Sequence, residues 1–254
     1  MIIIISPAKN INEDISFDAK LLSNTRFESQ TNELLSRAKK LSVKDLMSMM
    51  KISENLGQLN YQRYQQMEVP FSNFKLLPAL KAFNGAVFQS MNVGRFSDED
   101  WKFANDRLRI LSGFYGLLRP FDGILPYRLE MGTKLNIGTH KNLYQFWDMK
   151  INKLLQNDID TNGDNILINL ASNEYFKAVK DKELKARIIT PTFKEYKDGK
   201  YKMIAIYAKM ARGMMSNFII KNKLSNPEEI KLFDTEGYSY NDQLSEGDNW
   251  VFTR

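Results

Sequence analysis

The chain begins MIIIISPAK, residues 1–9, and this stretch decides how the rest is read. Five apolar residues in a row, without alternation, are what a strand covered on both faces requires. The run is too short for a signal peptide core and has no basic region ahead of it, so it reads as a buried strand starting at residue 2. Ser6–Lys9 then leaves the carboxyl end of that strand, where α/β sheets place ligand-binding loops. Lys9 is therefore a candidate phosphate contact, with a solvated lysine after a turn as the plain alternative.

Working outward, NILINL at 165–170 is a second buried strand. It runs into Ser172 or Asn173, either of which can cap a helix over 174–179. Backbone N–H groups at such a start attract an anion, although Glu174 partly opposes one. Residues 109–113 read as a third short strand. Two β-rich runs, 187–196 and 201–208, are joined by Lys-Asp-Gly-Lys, a strong hairpin signal.

Helices are expected over 28–40, 43–51, 53–66 and 98–106. Ser42 with Asp45 matches a capping box, and Ser97 is followed by three acids in a first turn. Further helices are expected over 143–156 and 209–223, and two strands around a polar turn over 229–254. Strands and helices intermix without strict alternation, and no repeat or Pro/Gly/Ser linker divides the chain. The fold class is mixed α/β (α+β), one globular domain spanning 1–254, with a central sheet and surrounding helices.

Composition narrows the chemistry. With no cysteine and His140 as the single histidine, thiolate sites, cysteine nucleophiles and Ser-His-Asp catalysis are set aside, and no metal site or cofactor is expected. No segment approaches the roughly 20 apolar residues of a membrane span, and a cytoplasmic, monomeric protein is expected. Residues 177–223 hold 13 Lys and Arg against 4 Asp and Glu, whereas the other 207 residues carry 23 basic and 26 acidic groups. Regional basicity of this kind suits an anionic partner such as nucleic acid, or a solvated lysine-rich face.

Residues 111–132, LSGFYGLLRPFDGILPYRLEMG, set four glycines and two prolines among Arg119, Arg128 and Glu130. Glycine permits close backbone approach, proline fixes φ, and arginine presents planar donors suited to phosphate. Arg128 and Glu130, two apart, face the same way in an extended segment and can pair. Lys209 and Arg212 share a helix face beside Gly213, whose presence inside a helix suggests a close neighbour.

Six blocks carry a resemblance to one bacterial family: ISPAK (5–9), the 111–132 segment, LYQFW (143–147), INLASNEYFKAV (168–179), YAKMARGMMSNFIIKN (207–222) and FDTEGYSY (233–240). The chain resembles the peroxide stress resistance protein YaaA family. That resemblance implies a DNA-binding protein of the oxidative stress response that limits damage from free iron and hydroxyl radicals, with a positively charged cleft of little sequence specificity. It also implies a helix–hairpin–helix element, whose counterpart here is 33–53 with Lys39 and Lys40 at the junction. No glycine occupies that junction, so two ordinary packed helices remain the alternative. The nucleic-acid contacts expected are Lys9, Lys39, Lys40, Arg119, Arg128, Lys209 and Arg212, on double-stranded DNA and on single-stranded or branched forms. The competing reading is an enzyme acting on a base or glycosidic bond of a nucleic acid or nucleotide. Its candidate residues are Glu174 as general acid or base, Tyr175 and Glu130.

Overall fold

A computed structural model describes residues 1–254. The IIII run is strand β1 (Ile2–Ile5), fully buried, at the centre of an eight-stranded sheet. The other strands are β2 (Leu108–Ser112), β3 (Gly116–Leu118), β4 (Ile166–Leu170), β5 (Arg187–Lys197), β6 (Lys200–Lys202), β7 (Ser239–Tyr240) and β8 (Asn249–Thr253). Their order is β7-β8-β5-β4-β1-β2-β3, with β6 pairing β5 as a hairpin. Five neighbours, β8, β5, β4, β1 and β2, are mutually parallel. Ile5 sits between Ile110 on one side and Leu170 on the other. From β1 the chain moves first to β2 and then crosses to β4 on the opposite side. The order of the sheet therefore reverses between β1 and β4, where open α/β sheets leave a crevice at the carboxyl ends.

Helices cover this sheet: α1 (Glu28–Ala38), α2 (Val43–Met50), α3 (Glu54–Gln66), α4 (Ala86–Met91), α5 (Asp98–Arg107), α6 (Leu143–Trp147), α7 (Lys150–Asn162), α8 (Asn173–Phe176) and α9 (Ala205–Lys221). Ser42 and Ser97 start α2 and α5 with complete capping boxes, closed by Asp45 and Asp100. One contiguous core unites the molecule, and no helix is long and apolar enough to cross a membrane.

Three expectations need correction. The helix expected over 143–156 is two: Asp148 takes a positive φ of 36° and ends α6 before α7 begins. The second β-rich run stops at Lys202, and Ala205–Ala208 form the first turn of α9 instead. Helix α8 is a single turn of four residues, too short to bring much dipole to an anion.

The junction between α1 and α2 spends its backbone donors internally. Lys39 N–H donates to Leu35 O, Lys40 N–H to Arg37 O, Leu41 N–H to Ala38 O, and Ser42 N–H to Asp45 Oδ2. A hairpin that grips phosphate through free N–H groups needs those donors unoccupied. The Lys39 and Lys40 side chains are what this junction can still offer.

Candidate functional site

A cleft of about 600 Å³ opens at the switch point. Its floor comes from the two strands that part there, through Ser6–Asn10 after β1 and through Leu170 and Ser172–Tyr175 at the exit of β4. Ser6 Oγ ties the two exits together: it accepts from Ser172 N–H at 2.8 Å and lies 3.1 Å from Ser172 Oγ. One wall is the extended segment Tyr127–Glu130, and the other is the first half of α9 with Met203 ahead of it.

The segment 111–132 builds that first wall from the core outward. Phe114, Tyr115 and Tyr127 form a buried aromatic cluster with ring centroids 4.9–5.2 Å apart. Tyr127 Oη is held by Ser112 Oγ at 2.6 Å, and Tyr64 of α3 donates its hydroxyl to the Arg128 carbonyl, also at 2.6 Å. Gly113 lies directly beneath the Leu129–Glu130 peptide, and a Cβ there would overlap the Leu129 carbonyl oxygen. Burial and close packing thus fix the backbone, so that Arg128 and Glu130 reach the cleft from a rigid base.

On the other wall, Gly213 allows α9 to lie on α4. A Cβ at Gly213 would overlap the Val87 carbonyl oxygen and press on Ser90 Oγ. The close neighbour expected from the sequence is therefore backbone. That contact turns Ala208, Lys209 and Arg212 to the cleft, while the exposed Met210 points away from the core.

Electrostatically the cleft is uneven. Lys9, Arg128, Lys209 and Arg212 line it together with two carboxylates, Glu130 and Glu174. Glu130 is occupied, with Lys9 Nζ at 2.9 Å and Arg128 Nη2 at 3.5 Å. The expected Arg128–Glu130 pair is present, and Lys9 extends it across the mouth. Glu174 Oε1 accepts from Gly132 N–H at 2.8 Å, and the Glu174 carbonyl accepts from the Tyr144 hydroxyl at 3.0 Å. Tyr175 is buried, and burial pushes its hydroxyl well above the usual phenol range, with nearby Tyr127, Glu174 and Glu130 pushing the same way. It is a neutral phenol at physiological pH, able to donate a hydrogen bond but not to act as a base.

Arg212 differs from its neighbours. No carboxylate lies within ion-pair distance of its guanidinium, and burial lowers its pKa with no acid to offset the cost. A partly desolvated cation without an acidic partner carries a cost that a bound anion would offset.

The structure therefore brings together Lys9, Arg128, Glu130, Glu174, Tyr175, Lys209 and Arg212. It does not bring Arg119 to this cleft, because Arg119 neutralises the fully buried Asp122, whose carboxylate accepts from both its Nε and its backbone N–H. The acid three residues on was the sequence signal for that bond. Lys39 and Lys40 also lie outside the cleft. His140 pairs backbone to backbone with Ile137 and packs edge-on against Phe146. Residues that the sequence did not single out are Val87, Tyr127, Leu129 and Met203, the apolar lining. Their types alone mark core, and only the fold shows them facing a cleft.

These features define a single-domain mixed α/β protein whose cleft lies at the switch point of its sheet. The family model described as peroxide stress protein YaaA matches residues 1–244, and the chain belongs to that family. Relatives named UPF0246 protein match it end to end. One from Saccharophagus degradans is 48% identical over 254 residues, covering 100% of this chain and 99% of its own. One from Teredinibacter turnerae is 46% identical with the same coverage, and one from Clostridium botulinum (strain Eklund 17B) is 45% identical over 256 residues, again covering 100% and 99%.

Proposed function

We propose that this protein binds DNA at the cleft as part of a cytoplasmic peroxide stress response. The observation that carries the reading is Arg212, a half-buried guanidinium with no acidic partner, beside an equally unpaired Lys209. A phosphate oxygen in the cleft would satisfy both, and Lys9 can be released from Glu130 to join them. The β5–β6 hairpin supports a nucleic acid over a small anion. Tyr196 and Tyr201 pair their rings 5.3 Å apart on its exposed face, among Lys197, Lys200 and Lys202. Met203, just beyond β6, lines the cleft, so the hairpin flanks its mouth. Aromatic faces interleaved with lysines suit stacked bases and phosphates with little sequence preference. With one histidine and no cysteine, the chain is poorly equipped to hold ferrous iron, and protection would act at the DNA.

The test is fluorescence anisotropy of a labelled duplex while salt is raised. Affinity should fall with a log–log slope of about −0.9 per phosphate contact, and Arg212→Met should weaken binding about tenfold or more. A slope near zero, or wild-type affinity in Arg212→Met, overturns the reading. Lys39→Ala with Lys40→Ala, in the same assay, decides whether the α1–α2 junction takes part.

A second reading, an enzyme acting on a nucleotide of the bound strand, is favoured by the cleft's size and its apolar walls. About 600 Å³ bounded by Tyr127, Leu129, Val87 and Met203 suits one unstacked nucleotide better than a bare backbone track. Glu174 would then serve as acid or base. Glu174→Gln keeps the oxygen that accepts from Gly132 N–H. If it binds DNA normally yet fails to restore peroxide resistance to cells lacking the protein, the enzymatic reading stands; full rescue removes it.

A further inference from the structure

A second polar cavity of about 420 Å³, lined entirely by hydrophilic residues, lies at the amino end of β2. Asn105–Arg107 and Arg109, at the end of α5 and the start of β2, form one side, and Asp158 and Asn162 of α7 form another. Arg26, just before α1, and Arg119 close it. It lies at the opposite edge of the sheet from the cleft and shares no residue with it.

Most of the charge here is already matched. Arg26 Nη1 donates to both oxygens of Asp158, at 2.7 and 2.9 Å, and Arg109 Nε donates to Oδ2 at 2.6 Å. Burial alone would raise the Asp158 pKa, but these two arginines hold it below the usual carboxylate range. Arg109 spends its remaining nitrogens on the carbonyls of Asn105, Asp106 and Leu108. Asp158 is thus a neutralised anchor, and Arg109 has nothing left to give.

What remains is a set of buried donors without acceptors. Arg26 Nε and Nη2, Arg107 Nη1 and Asn162 Nδ2 have no hydrogen-bond partner in the protein. Nε and Nη2 form the side fork of one guanidinium, two parallel N–H bonds at the spacing that two oxygens of a phosphate or carboxylate match. Leaving a charged donor buried and unmade costs more than an ordinary hydrogen bond returns. Two free nitrogens on one fork, with a second arginine and an amide on the same cavity, form a set of four donors, opposed only by the exposed carboxylate of Asp106, which also lines the cavity, and by Asp164 at 3.8 Å from Arg107 Nη1. Water can both donate and accept and matches such a set less well than an oxyanion does. At about 30 Å³ per water, the volume also exceeds what one or two molecules fill.

We propose that this cavity is a binding site for a phosphate group, held bidentately by the Arg26 side fork and capped by Arg107 and Asn162. Free inorganic phosphate and a small phosphomonoester share this chemistry. A duplex backbone is the less suitable source, because the donor atoms are buried rather than presented on the surface.

Calorimetric titration of the full chain with inorganic phosphate, and separately with phenyl phosphate, at matched chloride and ionic strength, tests this. Saturable one-site binding is expected, and the tighter of the two probes identifies the source. Arg26→Lys preserves the charge beside Asp158 but removes the fork, and should weaken binding about tenfold or more. Asn162→Ala, at the carboxyl end of a surface helix, should weaken it about threefold and keeps the test alive should Arg26→Lys fail to fold. Arg212→Met, which removes the phosphate contact proposed for the cleft on the opposite edge, should retain this saturable site. No saturable heat with either probe, wild-type binding in the folded variants, or loss of binding in Arg212→Met would each overturn the assignment.

Discussion

Lys9 Nζ lies 2.9 Å from Glu130 Oε2, joining the loop that leaves β1 to the extended wall across the cleft. The lysine is 59% exposed, and ion pairs of that kind contribute little to stability. A ligand phosphate can therefore displace Glu130 from Lys9 at small cost. The carboxylate competes with the anion for both Lys9 and Arg128.

Glu130→Gln should release both cations while keeping the side chain's shape. DNA affinity at low salt is expected to rise roughly two- to fivefold, the equivalent of an exposed ion pair. Thermal stability should barely change. Anisotropy and a melting curve on the same sample check both, and a drop in affinity would show that Glu130 positions the ligand rather than competing with it.

Gly213 tests how the second wall is built. Alanine normally stabilises a helix relative to glycine by about 0.8–1.0 kcal/mol. Here the added methyl meets a backbone carbonyl of α4, which cannot rotate aside as a side chain can. Overpacking costs typically about 1–3 kcal/mol and should win. Urea denaturation of Gly213→Ala should show a net loss, and DNA binding should fall as Lys209 and Arg212 shift. A stabilised variant would mean that α9 does not sit as close to α4 as described.

Asp100 predicts an acid-sensitive contact between α5 and α9. Its carboxylate caps α5 through Ser97 N–H at 2.9 Å and takes Lys221 Nζ at 2.6 Å, with Lys223 on the other oxygen. Burial works to raise its pKa, but hydrogen bonds from Lys221, Lys223 and Ser97 outweigh it and hold the carboxyl well below its usual range. The unfolded chain, with an Asp pKa near 3.9, then binds the proton first as pH falls. The stabilisation is complete above about pH 4 and is lost progressively below it. Asp100→Asn should be less stable than wild type at pH 7, and the difference should shrink as denaturation is repeated at lower pH. A gap independent of pH would locate the effect in packing, not charge.

What the sequence disclosed was local, and what it hid was long-range. The starts of α2 and α5 were legible, one from a Ser and an Asp three apart that satisfy each other within one turn, the other from a serine cap followed by three acids. The strand IIII and the loop after it were legible because a continuous apolar run has few other uses. The break at Asp148 was not. Trp147 donates its indole N–H to the Gly113 carbonyl, 34 residues away, and no pattern within 143–156 announces that anchor. Ile204–Ala208 has strand-like composition, but β6 already ends opposite Glu195, and burial of Ala208 and Ala211 turns the run into the start of α9. The cavity at the amino edge was invisible for the same reason, since Arg26 and Asp158 stand 132 positions apart. In the cleft, the charged residues could be nominated by type, whereas its apolar walls were indistinguishable from core.

Arg212→Met separates a functional cation from a structural one. A structural arginine in this position would be paired, and removing it would strand a carboxylate and destabilise the fold by several kcal/mol. Arg212 strands nothing, because no acid faces it, and its own burial already lowers its pKa. Methionine keeps most of the stem's packing and removes the partly desolvated charge. The melting temperature of Arg212→Met should therefore equal or exceed that of wild type while DNA affinity drops, the pattern of a residue retained for binding at some cost in stability. The two measurements belong on one preparation. Loss of stability together with binding would mean that the guanidinium holds the wall in place, and the cleft's affinity for phosphate would then have to rest on Lys9, Arg128 and Lys209.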